Sequence, residues 1–131
     1  MFATDGSKAA DKALQFLLSK LTPDPPNQPG KSPIEIVLIH VVPFLNYPEL
    51  KEAGSRLVED SLEPLIKAGY IVDGIVRLGR PADEVLKMPS KKKADLVVTG
   101  AKGLGAIARF LVGSVSTKIV QRSRCSVLVV R

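Results

Sequence analysis

Two kinds of apolar spacing alternate along the chain, and together they predict five strands separated by four helices. Ile34–Val42 is almost continuously apolar and β-branched, as is typical of a strand buried on both faces. After Ser7, which can cap a helix, apolar residues recur at helical spacing as far as Leu21. The predicted strands are Met1–Thr4, Ile34–Val42, Tyr70–Leu78, Leu96–Thr99 and Ser126–Val130. The other predicted helices are Glu49–Ala68, Ala82–Lys92 and about Ser114–Gln121.

Proline and glycine mark the breaks between these segments. Thr22–Pro33 is a proline-rich loop and Pro43–Pro48 a second loop, while Pro64 predicts a kink in the helix that Gly69 ends. Because strands alternate with helices, the chain is expected to form one α/β domain over residues 1–131, with a parallel sheet covered by helices on both faces.

The composition favours a cytoplasmic protein with no membrane-spanning segment. Apolar residues make up 45% of the chain, enough for a real core, but no apolar stretch approaches the roughly 20 residues that cross a bilayer. The N-terminus has no basic segment followed by an apolar run, so no signal peptide is predicted. The single cysteine, Cys125, excludes an internal disulfide and fits a reducing compartment.

The net charge of +6 lies entirely in the last quarter of the chain. Leu96–Arg131 contains no Asp or Glu, and its basic residues are Lys102, Arg109, Lys118, Arg122, Arg124 and Arg131. A patch of one sign attracts anions, so nucleotide phosphate, nucleic acid and an acidic membrane surface are all candidates. Nucleic acid is disfavoured because Phe110 is the only aromatic residue in this segment.

A set of glycines in the basic segment predicts a phosphate site. Gly100 and Gly103 follow the fourth strand, and Gly113-Ser114 precedes the last helix. Glycine allows the backbone to approach a ligand closely, and a helix N-terminus offers N–H groups and partial positive charge. Lys102 adds a cation, so the two amide-rich segments suit a di- or triphosphate.

Other glycine motifs fit less well. A Walker A loop requires the pattern G-x-x-x-x-G-K followed by Ser or Thr, which the chain lacks. Residues 103–108 match the Rossmann glycine pattern, but that fold also requires an acidic residue about 20 positions later, and none follows Asp95. A dinucleotide site is therefore rejected.

The full spacing resembles the ATP-binding signature of the universal stress protein family: Gly, two residues, Gly, nine residues, Gly-Ser. Gly100, Gly103, Gly113 and Ser114 satisfy it. Similar family features span nearly the whole chain, with the proline loop as an insertion. They are Ala3-Thr4-Asp5-Gly6-Ser7, Ile39-His40-Val41-Val42, Gly79-Arg80-Pro81-Ala82, Ala94-Asp95-Leu96-Val97-Val98 and Cys125-Ser126-Val127-Leu128-Val129-Val130-Arg131.

The resemblance implies ATP as ligand, with Mg or Mn bound through its phosphates. It places Asp5 at the ribose or metal–phosphate region, Ala3 and Thr4 beside the adenine, and the Val41 backbone on the adenine edge. The residues that it places around ribose and phosphates are Gly100, Lys102, Gly103, Leu104, Gly105, Ala106, Gly113, Ser114, Val115 and Ser116. It also implies a homodimer through the last strand, and an unidentified signalling protein is expected as a partner.

The strand order 3-2-1-4-5, common among doubly wound sheets, gives a partly separate argument for the same place. Such sheets bind ligands beyond the carboxyl ends of the strands where the order reverses. Asp5 and Gly100 would both lie at that crevice.

Three functions remain open from the sequence: a nucleotide-dependent sensor, a slow ATPase and a dimeric adaptor without nucleotide. No catalytic base is recognisable, which favours the sensor over the enzyme, and the intact glycine signature argues against the adaptor. His40 and Cys125 are interpreted as structural, and no protein-held metal cluster is expected.

Overall fold

The computed structural model describes residues 1–21, 23, 33–43, 48–103 and 112–131. Within these residues, five strands alternate with four helices. The strands are β1 (Phe2–Thr4), β2 (Glu35–Val42), β3 (Ile71–Leu78), β4 (Leu96–Gly100) and β5 (Ser126–Val130). The helices are α1 (Lys8–Lys20), α2 (Pro48–Lys67), α3 (Pro81–Lys92) and α4 (Ser114–Arg122).

All strand pairs are parallel, and the sheet order is β3-β2-β1-β4-β5. This confirms the predicted fold class and strand order. The shortest strand, β1, is central: Phe2 pairs with Leu38 of β2 on one side and with Val98 of β4 on the other.

Apolar clusters lie on the two faces of the sheet, as a strand apolar on both sides requires. On one face, Phe2 and Leu38 pack with α1 and α2 through Leu17 and Leu65. On the other face, Ile39 packs with α3 and α4 through residues that include Ile119. The helices therefore cover both faces, as predicted.

Two of the helices contain a proline, and both continue past it, as their predicted bounds require. α2 runs past Pro64 to Lys67, and α3 runs past Pro89 to Lys92. Proline removes one backbone hydrogen bond from a helix because it has no N–H. The buried side chains of Leu65 and Met88 nevertheless anchor these turns to the core. Helical stability in proteins comes mostly from such packing.

Tyr70 fastens the end of α1 to the start of β3. Its side chain is buried, and its hydroxyl donates to the carbonyl of Leu17 at 3.0 Å and also to that of Leu21. Burial raises the pKa of this phenol, so it remains a donor at all ordinary pH values.

No helix in the described part of the chain is long and apolar enough to traverse a lipid bilayer.

Candidate functional site

The predicted site residues converge on the carboxyl edge of the sheet, where the strand order reverses. β1 ends at Thr4 and is followed by Asp5, while the adjacent β4 ends at Gly100. Chain continuations from neighbouring strands of an open sheet leave a crevice at such a point.

Asp5 is held in a fixed position at this crevice. Its Oδ1 accepts a hydrogen bond from the Ser7 N–H at 3.0 Å, which forms a local turn between strand and helix. A Cβ placed on Gly103 would lie 2.5 Å from the Asp5 Oδ2. The chain after β4 therefore passes directly over the carboxylate, so any side chain at position 103 would displace Asp5 from this position.

Gly100 is required by packing between α1 and β4. A Cβ at this position would lie 2.5 Å from the carbonyl carbon of Ala9 and 2.8 Å from the nitrogen of Ala10. Because both are backbone atoms, the first turn of α1 could not stay in place. The glycine at the end of β4 thus brings the N-terminus of α1 to the crevice.

Ser7 joins that helix N-terminus to the segment Ala101–Gly103. Its hydroxyl accepts from the Ala10 N–H at 3.3 Å as the N-cap of α1. The same hydroxyl donates to the Lys102 carbonyl at 3.1 Å. The sequence identified the cap but not this second bond, since nothing local signals a partner 95 residues away.

The N-terminus of α4 is attached to the same segment. The Gly113 N–H donates to the Ala101 carbonyl at 2.6 Å. The buried Ser116 hydroxyl donates to that carbonyl at 2.9 Å and to the Gly113 carbonyl at 3.1 Å. Ala101–Gly103 is therefore hydrogen-bonded to the N-termini of two helices, to α1 through Ser7 and to α4 through Gly113 and Ser116. Both helix N-termini carry partial positive charge.

Ser116 and Gly113 have local roles that the sequence did not predict. The Ser116 hydroxyl already donates to backbone carbonyls, so it holds α4 to Ala101. Gly113 has φ −75° and ψ 163°, which any residue adopts, and a Cβ there would be 3.4 Å from the nearest atom, the Ala101 oxygen. Neither backbone angle nor space requires glycine at position 113.

The remaining predicted residues divide by position. Ser114 and Val115 are exposed on the first turn of α4, whereas Ala3, Thr4 and Val41 are buried in the sheet. Leu104, Gly105 and Ala106 lie outside the described residues.

The direction of the Val41 carbonyl follows from the sheet ladder. In β2 the carbonyls of Ile34 and Val42 accept from residues beside β3, so the even-numbered positions pair with β3. Val41, an odd-numbered position, therefore presents its backbone toward β1. Since β1 ends at Thr4, opposite His40, the Val41 carbonyl points past the end of that strand into the crevice.

His40 has a structural position at this end of β2. Its Nδ1 donates to the Thr4 carbonyl at 2.9 Å, and its ring lies against α2 at Gly54, where a Cβ would be 2.9 Å from the imidazole Cδ2. The imidazole ring therefore lies between the end of β1 and α2.

Charge near α4 is partly balanced by α3. Asp83 pairs with Lys118 at 2.5 Å, and this hydrogen bond lowers the pKa of the Asp83 carboxyl. The first turn of α4 contains no acidic residue. Among the described residues, no three His, Cys, Asp or Glu side chains are grouped so that they could hold a metal ion by themselves.

Comparison with known protein families identifies the family of this chain. The model of the universal stress protein family matches residues 1–131. The chain belongs to the universal stress protein family.

Some members of this family match over part of the chain. Universal stress protein YxiE of Bacillus subtilis is 35% identical over 83 residues, which cover 63% of this chain and 56% of YxiE. A universal stress protein of Thermus aquaticus, encoded in the QAH/OAS sulfhydrylase 3' region, is 36% identical over 93 residues, or 67% of this chain and 68% of that protein. The chain thus spans little more than half the length of YxiE.

Solved structures confirm the family fold. Hypothetical protein MJ0577 has a TM-score of 0.83 and 26% identity, with coverage of 98% of this chain and 91% of its own. A universal stress protein family protein of Arabidopsis thaliana, solved with AMP bound, has a TM-score of 0.70 and 22% identity over 98% of this chain and 87% of its own.

Proposed function

We propose that this protein binds ATP in the crevice between β1 and β4 and acts as a nucleotide-dependent sensor or switch. The proposal is carried by the position of Ala101–Gly103. This segment is hydrogen-bonded to the N-termini of α1 and α4 and lies against the Asp5 carboxylate. A cytoplasmic setting and an unidentified signalling protein that reads nucleotide occupancy belong to the same proposal.

Phosphate would bind on the α4 side of this crevice. The exposed first turn of α4, at Ser114 and Val115, offers backbone N–H groups and a serine hydroxyl, and no acidic residue in that turn repels an anion. Gly100, Lys102, Gly103 and Gly113 would frame the phosphates, together with the sequence-predicted Leu104, Gly105 and Ala106. Ser116 would act indirectly, by fixing the start of the helix.

Adenine would bind beside β2. The Val41 carbonyl is directed into the crevice and can accept a hydrogen bond from an exocyclic amino group, which adenine carries. Ala3 and Thr4 would form the floor at the end of β1. The AMP bound to the Arabidopsis protein, which shares the fold, supports an adenine nucleotide as the ligand.

A Mg or Mn ion would be held mainly by the phosphates. Hard divalent cations prefer oxygen ligands, and Mg²⁺ usually takes one or two carboxylates together with phosphate oxygens. Asp5 supplies one fixed carboxylate at the crevice, which fits that pattern. Bound there, the cation would neutralise phosphate charge, and Asp5 would orient it.

The sensor is favoured over an efficient ATPase on chemical grounds. Rapid phosphoryl transfer requires a group that positions the attacking water and cations that stabilise the transition state. At the crevice, the described carboxylate is Asp5, and its Oδ1 is already engaged by the Ser7 N–H. We therefore expect turnover of about once per minute or less, far below the enzyme median of about 10 s⁻¹.

Calorimetric titration tests the ligand. With Mg²⁺ present, ATP is expected to bind and NADH is not, since the glycine spacing predicts a split phosphate site, and the acidic residue that a Rossmann site places about 20 positions after its glycines is missing from the sequence. Tight NADH binding without ATP binding would contradict the proposal. Phosphate release measured on the same samples distinguishes a sensor from an efficient ATPase. Rapid release that disappears in Asp5→Ala would show that the protein is an enzyme.

We further propose a homodimer through β5, which lies at the sheet edge. Edge strands expose unpaired backbone groups that invite pairing with another chain, and this one contains no proline or charge to prevent it. The Val130 carbonyl accepts from the Ala101 N–H, so even-numbered β5 residues face β4. Val127 and Val129 therefore present their backbone groups to the free edge.

Because odd-numbered β5 residues face the free edge, a proline at an odd-numbered position tests the dimer by sedimentation. Val129→Pro removes an N–H from the free edge and is expected to convert a dimer into a monomer without unfolding the sheet. Leu128→Pro is the matched comparison: it removes an N–H that faces β4, so it is expected to lower stability instead. A wild-type monomer at about 100 μM, where even a micromolar interface would be occupied, would refute the dimer.

A further inference from the structure

The sheet has a second edge at β3, on the side opposite β5. All eight residues of β3 pair with β2, and no described strand lies beyond it. The N–H groups of Ile71 and Gly79 donate to β2 or its flanking residue, so odd-numbered β3 residues face β2. The even-numbered residues, from Val72 to Leu78, therefore direct their N–H and C=O groups away from the sheet.

Little in β3 prevents it from pairing with another strand. Edge strands are usually protected by short length, proline, bulges or charge. β3 is eight residues long and contains no proline, and its two charged residues, Asp73 and Arg77, have opposite signs. Ile71 and Leu78, at its two ends, are 53% and 52% exposed. Such an edge fits a strand that offers charges in the matching order.

The two charged side chains lie on the same face of β3, four residues apart, and both residues are exposed. On this face Lys92 of α3 pairs with the Asp73 Oδ2 at 2.8 Å, yet the Asp73 side chain remains 53% exposed. A carboxylate has two oxygens that can each accept more than one hydrogen bond. Asp73 can therefore bind a second cation from outside the sheet.

An antiparallel copy of β3 matches this charge pattern. Hydrogen-bonded pairs must join even-numbered residues, and only one such register places Asp73 opposite Arg77 of the other copy. In that register Ile75 lies on the twofold axis, and Gly74 bonds to Val76. Each ion pair is then a non-hydrogen-bonded pair, in which opposite side chains approach most closely. Moving the axis by two residues would instead place two aspartates or two arginines opposite each other.

The helix above this edge leaves room for a second copy. α2 covers both β2 and β3: a Cβ on Gly54 would be 2.9 Å from the His40 Cδ2, and a Cβ on Gly74 would be 2.6 Å from the Val58 Cγ1. Two copies paired through β3 would therefore hold their α2 helices about two strand spacings apart, or roughly 10 Å. This distance lies at the upper end of the range of about 8–10 Å for packed helices.

The flank of α2 that faces this edge is partly apolar. Leu57 points the other way, since it lies 3.2 Å from the position of a Cβ on Gly6. Leu62 lies over Gly74, and Ile66, one turn later, is 58% exposed. Leu62 and Ile66 line a surface groove of about 350 Å³. A second copy of α2 at the distance above would cover this groove.

We propose that two copies of this protein pair through β3, with Asp73 of each copy bound to Arg77 of the other. Exposed ion pairs contribute little, so we expect a weak interface, with a dissociation constant of about 1 mM. Because β3 and β5 lie at opposite edges of the sheet, this pairing does not compete with the proposed β5 dimer. Both pairings together would join dimers into a longer continuous sheet.

Sedimentation of the full chain at about 100 μM and about 1 mM tests the proposal, since a millimolar interface fills mainly at the higher concentration. The average mass of the wild type is expected to rise between the two. Asp73→Arg and Arg77→Asp each place like charges opposite one another and should weaken the pairing at least about tenfold. In an equimolar mixture, one variant carries two basic side chains and the other two acidic ones. Mixed pairs regain both ion pairs, so the rise in mass should return.

Two further variants locate the interface. Asp11→Arg, the same exchange at an exposed position of α1, is the matched control and should assemble like the wild type. Val129→Pro alters only the β5 edge and should still gain mass, so failure of this proposal is distinguishable from failure of the β5 dimer. Circular dichroism verifies that each variant is folded. A wild-type mass that stays constant up to about 1 mM, an equal loss in Asp11→Arg, or a mixture that does not recover would each overturn the proposal.

Discussion

Replacing Gly100 with alanine is expected to lower the free energy of unfolding by about 3 kcal/mol, a large part of the 5–15 kcal/mol typical of a domain. The added Cβ would lie 2.5 Å from the Ala9 carbonyl carbon and 2.7 Å from its oxygen. Relief requires α1 to move as a unit, which would disturb its packing on β4. Urea denaturation followed by circular dichroism measures the change, and the melting temperature should fall by about 10 °C.

Gly113→Ala is the control for this experiment. Its Cβ would lie at ordinary contact distance, 3.4 Å from the Ala101 oxygen, and its backbone angles suit alanine. We expect a loss of under about 1 kcal/mol, the usual effect of alanine at an N-cap. If both variants lose the same stability, the close approach of α1 to β4 does not explain the glycine at position 100.

Gly103→Ala is expected to weaken ATP binding by about 10- to 100-fold while the protein remains folded. Here the added Cβ would lie 2.5 Å from the Asp5 Oδ2, which is the end of a side chain and not backbone. The carboxylate can move aside, but it then leaves the position held by the Ser7 N–H. The expected factor corresponds to the loss of one hydrogen bond to a charged group, about 1.5–3 kcal/mol.

Calorimetry with Mg²⁺-ATP measures this effect, and thermal melting verifies the fold. Val120→Ala serves as the control, since Val120 is exposed on α4 and is not among the residues assigned to the site, and it should retain its affinity. Wild-type affinity in Gly103→Ala would place Asp5 outside the nucleotide site, although the glycine signature itself could still bind phosphate.

Much of the fold could be predicted from the sequence because the signals are local. The unbroken apolar run at Ile34–Val42 indicates a strand covered on both faces, and β2 is that strand. Helical spacing after Ser7 gives α1 with its cap. The helices that contain Pro64 and Pro89 also follow from helical spacing, and packing of neighbouring side chains against the core offsets the local cost of proline.

The candidate site was predictable in its location but not in its internal roles. The spacing of Gly100, Gly103 and Gly113 marks the crevice, but it cannot show that Gly100 accommodates a helix and Gly103 a carboxylate. Those roles depend on contacts between segments about 90 residues or more apart in the chain. Likewise, Ser116 resembles a phosphate ligand in the sequence, and only the structure shows its hydroxyl donating to backbone carbonyls.

The central position of β1 has a consequence for synthesis on the ribosome. β1 is made first, but its two neighbours pair with it at Leu38 and Val98, which are 60 residues apart in the chain. At about 5–20 residues per second, the second neighbour emerges roughly 3–12 s after the first. During that interval the nascent β1–β2 pair has one open edge at Phe2 and Ala3, residues that are buried in the finished protein. The nascent chain therefore presents an apolar strand to chaperones for seconds before β4 arrives to cover it.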